Sequence, residues 1–126
     1  MNTNNTTSQE QTIINQERET VMAFKEKRKD LFTKNFSEKY IGVASDGIKT
    51  ADDEVEGMLK LDLNDINVAD EKVSFPTNDI AIMTYKMIVK GKLKEKDISG
   101  TIYCSTVFAL QQNKWLSILH TESPGQ

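Results

Sequence analysis

A chain of 126 residues is long enough for one domain with a real apolar core and too short for two. Its hydrophobic share of 37% and charged share of 28% are those of a globular protein, and a net charge of −3 with interspersed signs gives no electrostatic footprint for nucleic acid. The single cysteine, Cys104, excludes an internal disulfide and any cysteine-rich zinc site, and its place among Ile102, Thr106 and Phe108 suggests a small buried hydrophobe.

The first eight residues hold three asparagines and three threonines and read as a disordered tail, set at residues 1–10. They lack the basic start and apolar stretch of a secretory signal, and no window approaches a membrane span, so cytoplasmic residence is the expectation. Ser8 and Thr12 are both candidate caps for the helix that follows. From Ile13 onward, Ile14, Val21, Phe24, Arg28 and Leu31 recur at spacings of three, four and seven, while Glu17, Arg18, Glu19 and Lys25 to Lys27 fill the other faces. This predicts one long amphipathic helix. A short helical stretch, Asp30–Phe36, either continues it or breaks from it near Arg28–Asp30.

Tyr40–Ala44 and Ile48–Lys49 flank Ser45-Asp46-Gly47, a tight-turn signal in which Asp46 bonds its own backbone. Thr50, followed three residues later by Asp53, marks a helix start, and the helix runs to Leu59 or Lys60, burying Val55, Met58 and Leu59. In Leu63–Phe75 the apolar phase switches between Val68 and Val73, which predicts a bulge around Asp70–Lys72. Three strands follow, Ile80–Val89, Thr101–Leu110 and Trp115–Thr121, with a charged connection at Gly91–Asp97 and a tight turn at Gln111–Asn113. Residues 124–126 close a breaker-rich tail, leaving 11–123 as a single domain. The last three strands carry large apolar residues on both alternation phases, so both faces must be covered by helices, a partner subunit or a ligand cavity.

The runs Ile80-Ala81-Ile82-Met83-Thr84-Tyr85, Ser105-Thr106-Val107-Phe108 and Asn113-Lys114-Trp115 through His120-Thr121-Glu122-Ser123 resemble the nuclear transport factor 2-like superfamily, in particular its SnoaL-like and ketosteroid isomerase-like bacterial branch. The long helix ending near Asp30-Leu31-Phe32 and the extended Tyr40-Ile41-Gly42-Val43 agree with it. The resemblance implies an α+β, cystatin-like cone, in which a strongly curved antiparallel sheet wraps the long N-terminal helix around a cavity and the outer sheet face forms a homodimer. Isomerases of that superfamily use a tyrosine on the first helix, a carboxylate base after the second helical region and an acid in a central strand. The matching places here hold Met22 or Phe24, Ile41–Ala44 and Ile102–Thr106, and none supplies the group.

His120 is the only histidine and the only side chain with an ordinary pKa near neutrality, which makes it the candidate for a ligand contact or a catalytic base, beside a plain structural hydrogen bond. Tyr40, Tyr85 and Tyr103 are candidate polar points in an apolar cavity, or amphipathic core and interface residues. Asp62 is a candidate at the cavity rim, and Trp115 reads as a packing anchor. No metal-ligand cluster, glycine-rich loop or serine elbow is present, so neither metal nor cofactor is expected. Three functions fit these residues. One is a dimeric binding or accessory domain holding a small apolar ligand. The second is a small-metabolite isomerase, lyase or hydrolase using His120 with a tyrosine or aspartate. The third is a structural or regulatory dimer whose cavity is filled by Met22, Phe24, Met83 and Met87.

Overall fold

The computed structural model describes residues 7–125, so most of the expected N-terminal tail, and Gln126, lie outside the described residues. Helix α1, Ser8–Lys25, begins inside that expected tail because Thr7, rather than Ser8 or Thr12, is its cap. The Thr7 hydroxyl accepts from the Glu10 amide at 3.1 Å, and the Glu10 carboxylate accepts from the Thr7 amide, a reciprocal capping box. The helix ends at Lys25 with Glu26 as its cap; the φ of 58° at Lys27 then turns the chain left-handed, while the Lys27 and Arg28 amides donate back to the Phe24 and Ala23 carbonyls. Helix α2, Lys29–Thr33, therefore stands apart from α1.

Strands β1 (Phe36–Ala44) and β2 (Gly47–Lys49) form the expected hairpin, and helix α3 (Ala51–Lys60) starts on the Thr50–Asp53 capping box. Strands β3 (Leu61–Thr77), β4 (Ile80–Leu93), β5 (Lys96–Asp97), β6 (Gly100–Gln111) and β7 (Lys114–Pro124) complete the chain. The sheet runs β2-β1-β7-β6-β4-β3, with β5 on β4. It is antiparallel except between β1 and β7, which pair in parallel and close the sheet beside the helices. The expected bulge in β3 falls between Ala69 and Lys72, where Asp70 has a φ of 56°. Strand β7 runs through Glu122, Ser123 and Pro124, past the expected break, because β6 pairs with it as far as Ile102 opposite Pro124.

The inner sheet face and α1 share one core. Ile13, Ile14 and Val21 meet Ala81, Met83, Met87 and Phe108, and the Trp115 indole lies 5.7 Å from the Phe75 ring. Phe24 does not reach this core: it joins Ala23, Phe32, Val55 and Met58 in a second cluster between the helices, with its ring 5.3 Å from that of Phe32. Leu59, expected to be buried, is 56% exposed because the buried face of α3 passes through Val55 and Met58. Arg18 reaches across to the Glu71 carboxylate and ties α1 to β3. Among the described residues, no helix is long and apolar enough to cross a membrane.

Candidate functional site

The inner face of the sheet becomes polar in one place, and strand register explains why. Across β4, β6 and β7, Tyr85 stands opposite Cys104 and Cys104 opposite Glu122; in the next row Met83 faces Thr106 and Thr106 faces His120. His120 in turn pairs with Gly42 of β1. Side chains two residues apart on a strand share a face, so His120 and Glu122 project together toward α1. Helix α1 answers with Glu17, which sits between Ile13 and Val21 at spacings of four and is 4% exposed.

Glu17 Oε2 accepts from the Tyr85 hydroxyl at 2.6 Å and from the Thr106 hydroxyl at 2.6 Å. Thr106 has one proton and has given it to Glu17, so the Nδ1–H of His120 must donate to Thr106 Oγ1, 2.8 Å away. On the other side of the ring, Nε2 lies 2.9 Å from Glu122 Oε2 and donates to that carboxylate. Both ring nitrogens carry protons in this arrangement, which makes His120 an imidazolium held between two carboxylates. Burial would lower its pKa; contacts with Cys104 and Glu122 and the charges of Glu17 and Glu122 reverse this and hold it well above the ordinary histidine value. Burial also pushes the Cys104 thiol up, so it stays neutral beside the ring. Burial, then Glu17, pushes the Tyr85 phenol up, so it remains a donor.

A second polar pair stands beside the first. The Tyr40 hydroxyl donates to Glu54 Oε2 at 2.6 Å, with its own ring stacked 4.0 Å from Phe36. Burial, opposed by the Tyr40 bond and helped by Glu122, raises the Glu54 pKa. Gly42 makes room for this pair: a Cβ there would lie 2.7 Å from Glu54 Oε2 and 3.3 Å from the Tyr40 oxygen. Glu17, Tyr40, Glu54, Tyr85, His120 and Glu122 all line one cleft of about 550 Å³, whose walls include Phe24, Phe32, Phe36, Ile66 and Met87.

The structure thus brings Tyr40, Tyr85 and His120 to one cleft and leaves two other candidates outside it. Asp62 points away and pairs with Lys27 at 3.1 Å, since it alternates with Leu61 and Leu63, which line the cleft. Tyr103 is 57% exposed, on the outer face opposite Lys86 and Ser123. The partners of His120 are Thr106, Glu17 and Glu122, not a tyrosine or Asp62. Glu17 and Glu122 were missed in the sequence; the signals that could have found them are the spacing of four between Glu17 and both Ile13 and Val21, and the two-residue spacing of Glu122 from His120. Glu54 looked like an ordinary first-turn acid.

Cys104, His120 and Glu122 place donor atoms within 4.8 Å of one another. The 2.9 Å Nε2 to Oε2 separation is a hydrogen-bond distance in which a proton already occupies the space, whereas a zinc ion would need its own bonds of about 2 Å to each atom. These residues fit a proton-sharing network better than a metal site.

No protein-family model matches the chain, and no curated protein matches it in sequence. Solved structures do match in fold. An NTF2-like protein from Cytophaga hutchinsonii superposes with a TM-score of 0.85 at 15% identity, over 94% of this chain and 100% of that one. A ketosteroid isomerase-like protein from Erwinia carotovora atroseptica gives 0.82 at 10% identity, over 96% and 99%. A hexachlorocyclohexane dehydrochlorinase from Novosphingobium barchaimii gives 0.80 at 8% identity, over 90% and 84%. At these identities the likeness is one of fold, which hosts many functions. The long N-terminal helix laid on an open, curved seven-stranded sheet is therefore the NTF2-like, cystatin-like fold.

Proposed function

We propose that this chain binds a small molecule with an apolar body and a polar end in the cleft, and that His120 with Glu122 moves a proton at that polar end, as an isomerase or lyase would. The observation that carries this reading is the His120 ring on the cleft lining, with a carboxylate facing each ring nitrogen. A purely structural core has no need of such a group, since burying charge costs several kcal/mol per ion before pairing returns it. Of the four side chains that could fill the cleft, Met83 is fully buried in the sheet core and Met22 is exposed, while Phe24 and Met87 form part of its wall, which supports a cleft with room for a ligand. Burial inclines the Glu54 carboxyl, held by Tyr40, to keep its proton, while Glu122 lies against His120, two carboxyls in the different surroundings that acid–base chemistry uses.

A thermal-shift screen of small apolar molecules bearing one polar group tests this. A saturating rise in melting temperature that His120→Gln and Glu122→Gln abolish supports it, and a library in which no member stabilises the wild type overturns it.

The same reading includes a homodimer through the outer sheet face. Ile82, Val107, Leu119 and Ile41 fall in one cross-strand row there. Phe108 and Trp115 are buried inside: Phe108 continues the inward alternation of Cys104 and Thr106, and Ile118, the extra residue of β7 at the register shift, leaves Trp115 and Ser117 inward before it and His120 inward after it. Support comes from the exposure of Ile41 and Val43 on that face. Sedimentation equilibrium showing dimer for the wild type and monomer for Ile41→Lys bears it out; a monomeric wild type refutes it.

A further inference from the structure

The charge balance of the cleft is lopsided. At its floor and on its wall, Glu17, Glu54 and Glu122 face one imidazolium. Lys49, one of two lysines on the lining, is held at 3.0 Å by Asp46, and Lys60 lies on the exposed rim. Glu54 and Glu122 each engage Oε2 with a protein donor, Tyr40 and His120 respectively, and among the described residues neither Oε1 has such a donor. The two carboxyls line the same cleft, and the charge of Glu122 raises the cost of ionising Glu54. Gly42 lies against Glu54, whose carboxylate takes the space that a side chain there would fill. The apolar wall next to them is aromatic, with Phe36 stacked on Tyr40 at an interplanar angle of 7° and Phe32 set edge-on at 5.0 Å.

We propose that the cleft selects a cationic ligand, a small amine with an apolar body, whose ammonium bridges Glu54 and Glu122 while its body lies along the Phe32–Phe36–Tyr40 wall. An ammonium has three donors and no acceptor, so it can serve both of these carboxylate oxygens at once. Bound there, it removes the repulsion between Glu54 and Glu122. The aromatic faces add attraction for a cation and its neighbouring methylenes. An anionic ligand meets the opposite field: the one positive group at the floor is covered by Glu17 and Glu122.

This inference rests on the ligand-binding reading above, and the probes are chosen so that the two can fail separately. Isothermal titration of the full chain with phenylpropylamine, phenylpropanol and phenylpropanoate varies only the charge of the polar end. The amine is expected to bind about tenfold or more tighter than the alcohol, a difference of about 1.4 kcal/mol, with the carboxylate weakest. Glu122→Gln and Glu54→Gln should each bring the amine toward the alcohol. Should either variant fold poorly, the wild type alone decides: raising the salt weakens the amine and leaves the alcohol unchanged. Equal affinities for amine and alcohol, a preference for the carboxylate, or a salt-independent amine overturns the amine inference and leaves the ligand-binding reading standing. Binding by none of the three overturns it as well, and the wider apolar screen then judges the cleft by itself.

Discussion

Glu17 Oε2 lies 3.7 Å from His120 Nδ1, with the Thr106 hydroxyl bridging the two. One residue comes from the first helix and the other from the last strand, so the contact joins the two ends of the fold across its core. Exchanging Glu17 for Gln keeps the shape but sets an amide donor among groups that already donate. The expected cost is about 3–5 kcal/mol, the range for breaking a buried ion pair by neutralising one partner. Urea unfolding measures it, and the His120 pKa should fall in the same variant.

The raised pKa of His120 fixes how stability depends on pH. The folded state holds this proton more tightly than the unfolded chain does. Its contribution is therefore complete below the ordinary histidine pKa and is lost as the pH rises through the elevated folded value. Denaturant midpoints across the neutral to alkaline range should show the wild type losing stability that His120→Gln never had, so that the two converge at high pH. A constant gap between them contradicts the assignment.

Tyr40, Gly42 and Glu54 should behave as one unit. Tyr40→Phe removes the hydroxyl that holds Glu54 and should cost about 1–2 kcal/mol. Gly42→Ala places a methyl against the end of a flexible carboxylate, which can swing aside, so the fold survives but the Tyr40 bond is lost. The double variant should cost little more than either single one, since both break the same contact. Additive losses would separate them.

Core replacements should follow burial rather than residue type. Phe108, 1% exposed at the centre of the sheet, should cost about 3–5 kcal/mol as Ala. Phe24→Ala should cost less, because its ring is half-buried in the smaller cluster between the helices.

The elements themselves were readable in the sequence. The Thr50–Asp53 cap, the Asp46-Gly47 turn and the phase switch near Asp70 are local signals, and each appears where local chemistry demands it. What local pattern does not carry is which face of a strand looks inward. A bulge decided that for β7, where Ile118 is the extra residue opposite Val107 and Phe108, so that Trp115 and Ser117 face inward before it and His120 after it. The parallel pairing of β1 with β7 is likewise a long-range choice, and it is what places Gly42 beside His120. Of the site, His120, Tyr40 and Tyr85 were visible by residue type. Glu17 was hidden because a glutamate on a helix usually marks the solvated face, and Glu122 because Pro124 and Gly125 suggested that the strand had already ended.

The central claim is that His120 is an imidazolium at the floor of a ligand-binding cleft, and NMR of its ring nitrogens tests this most directly. The chain has one histidine, so its signals need no assignment. Both nitrogens should be protonated at neutral pH, stay so into the alkaline range, and shift when an apolar amine saturates the cleft. A single neutral tautomer that titrates at the ordinary histidine value and ignores every ligand would contradict the account.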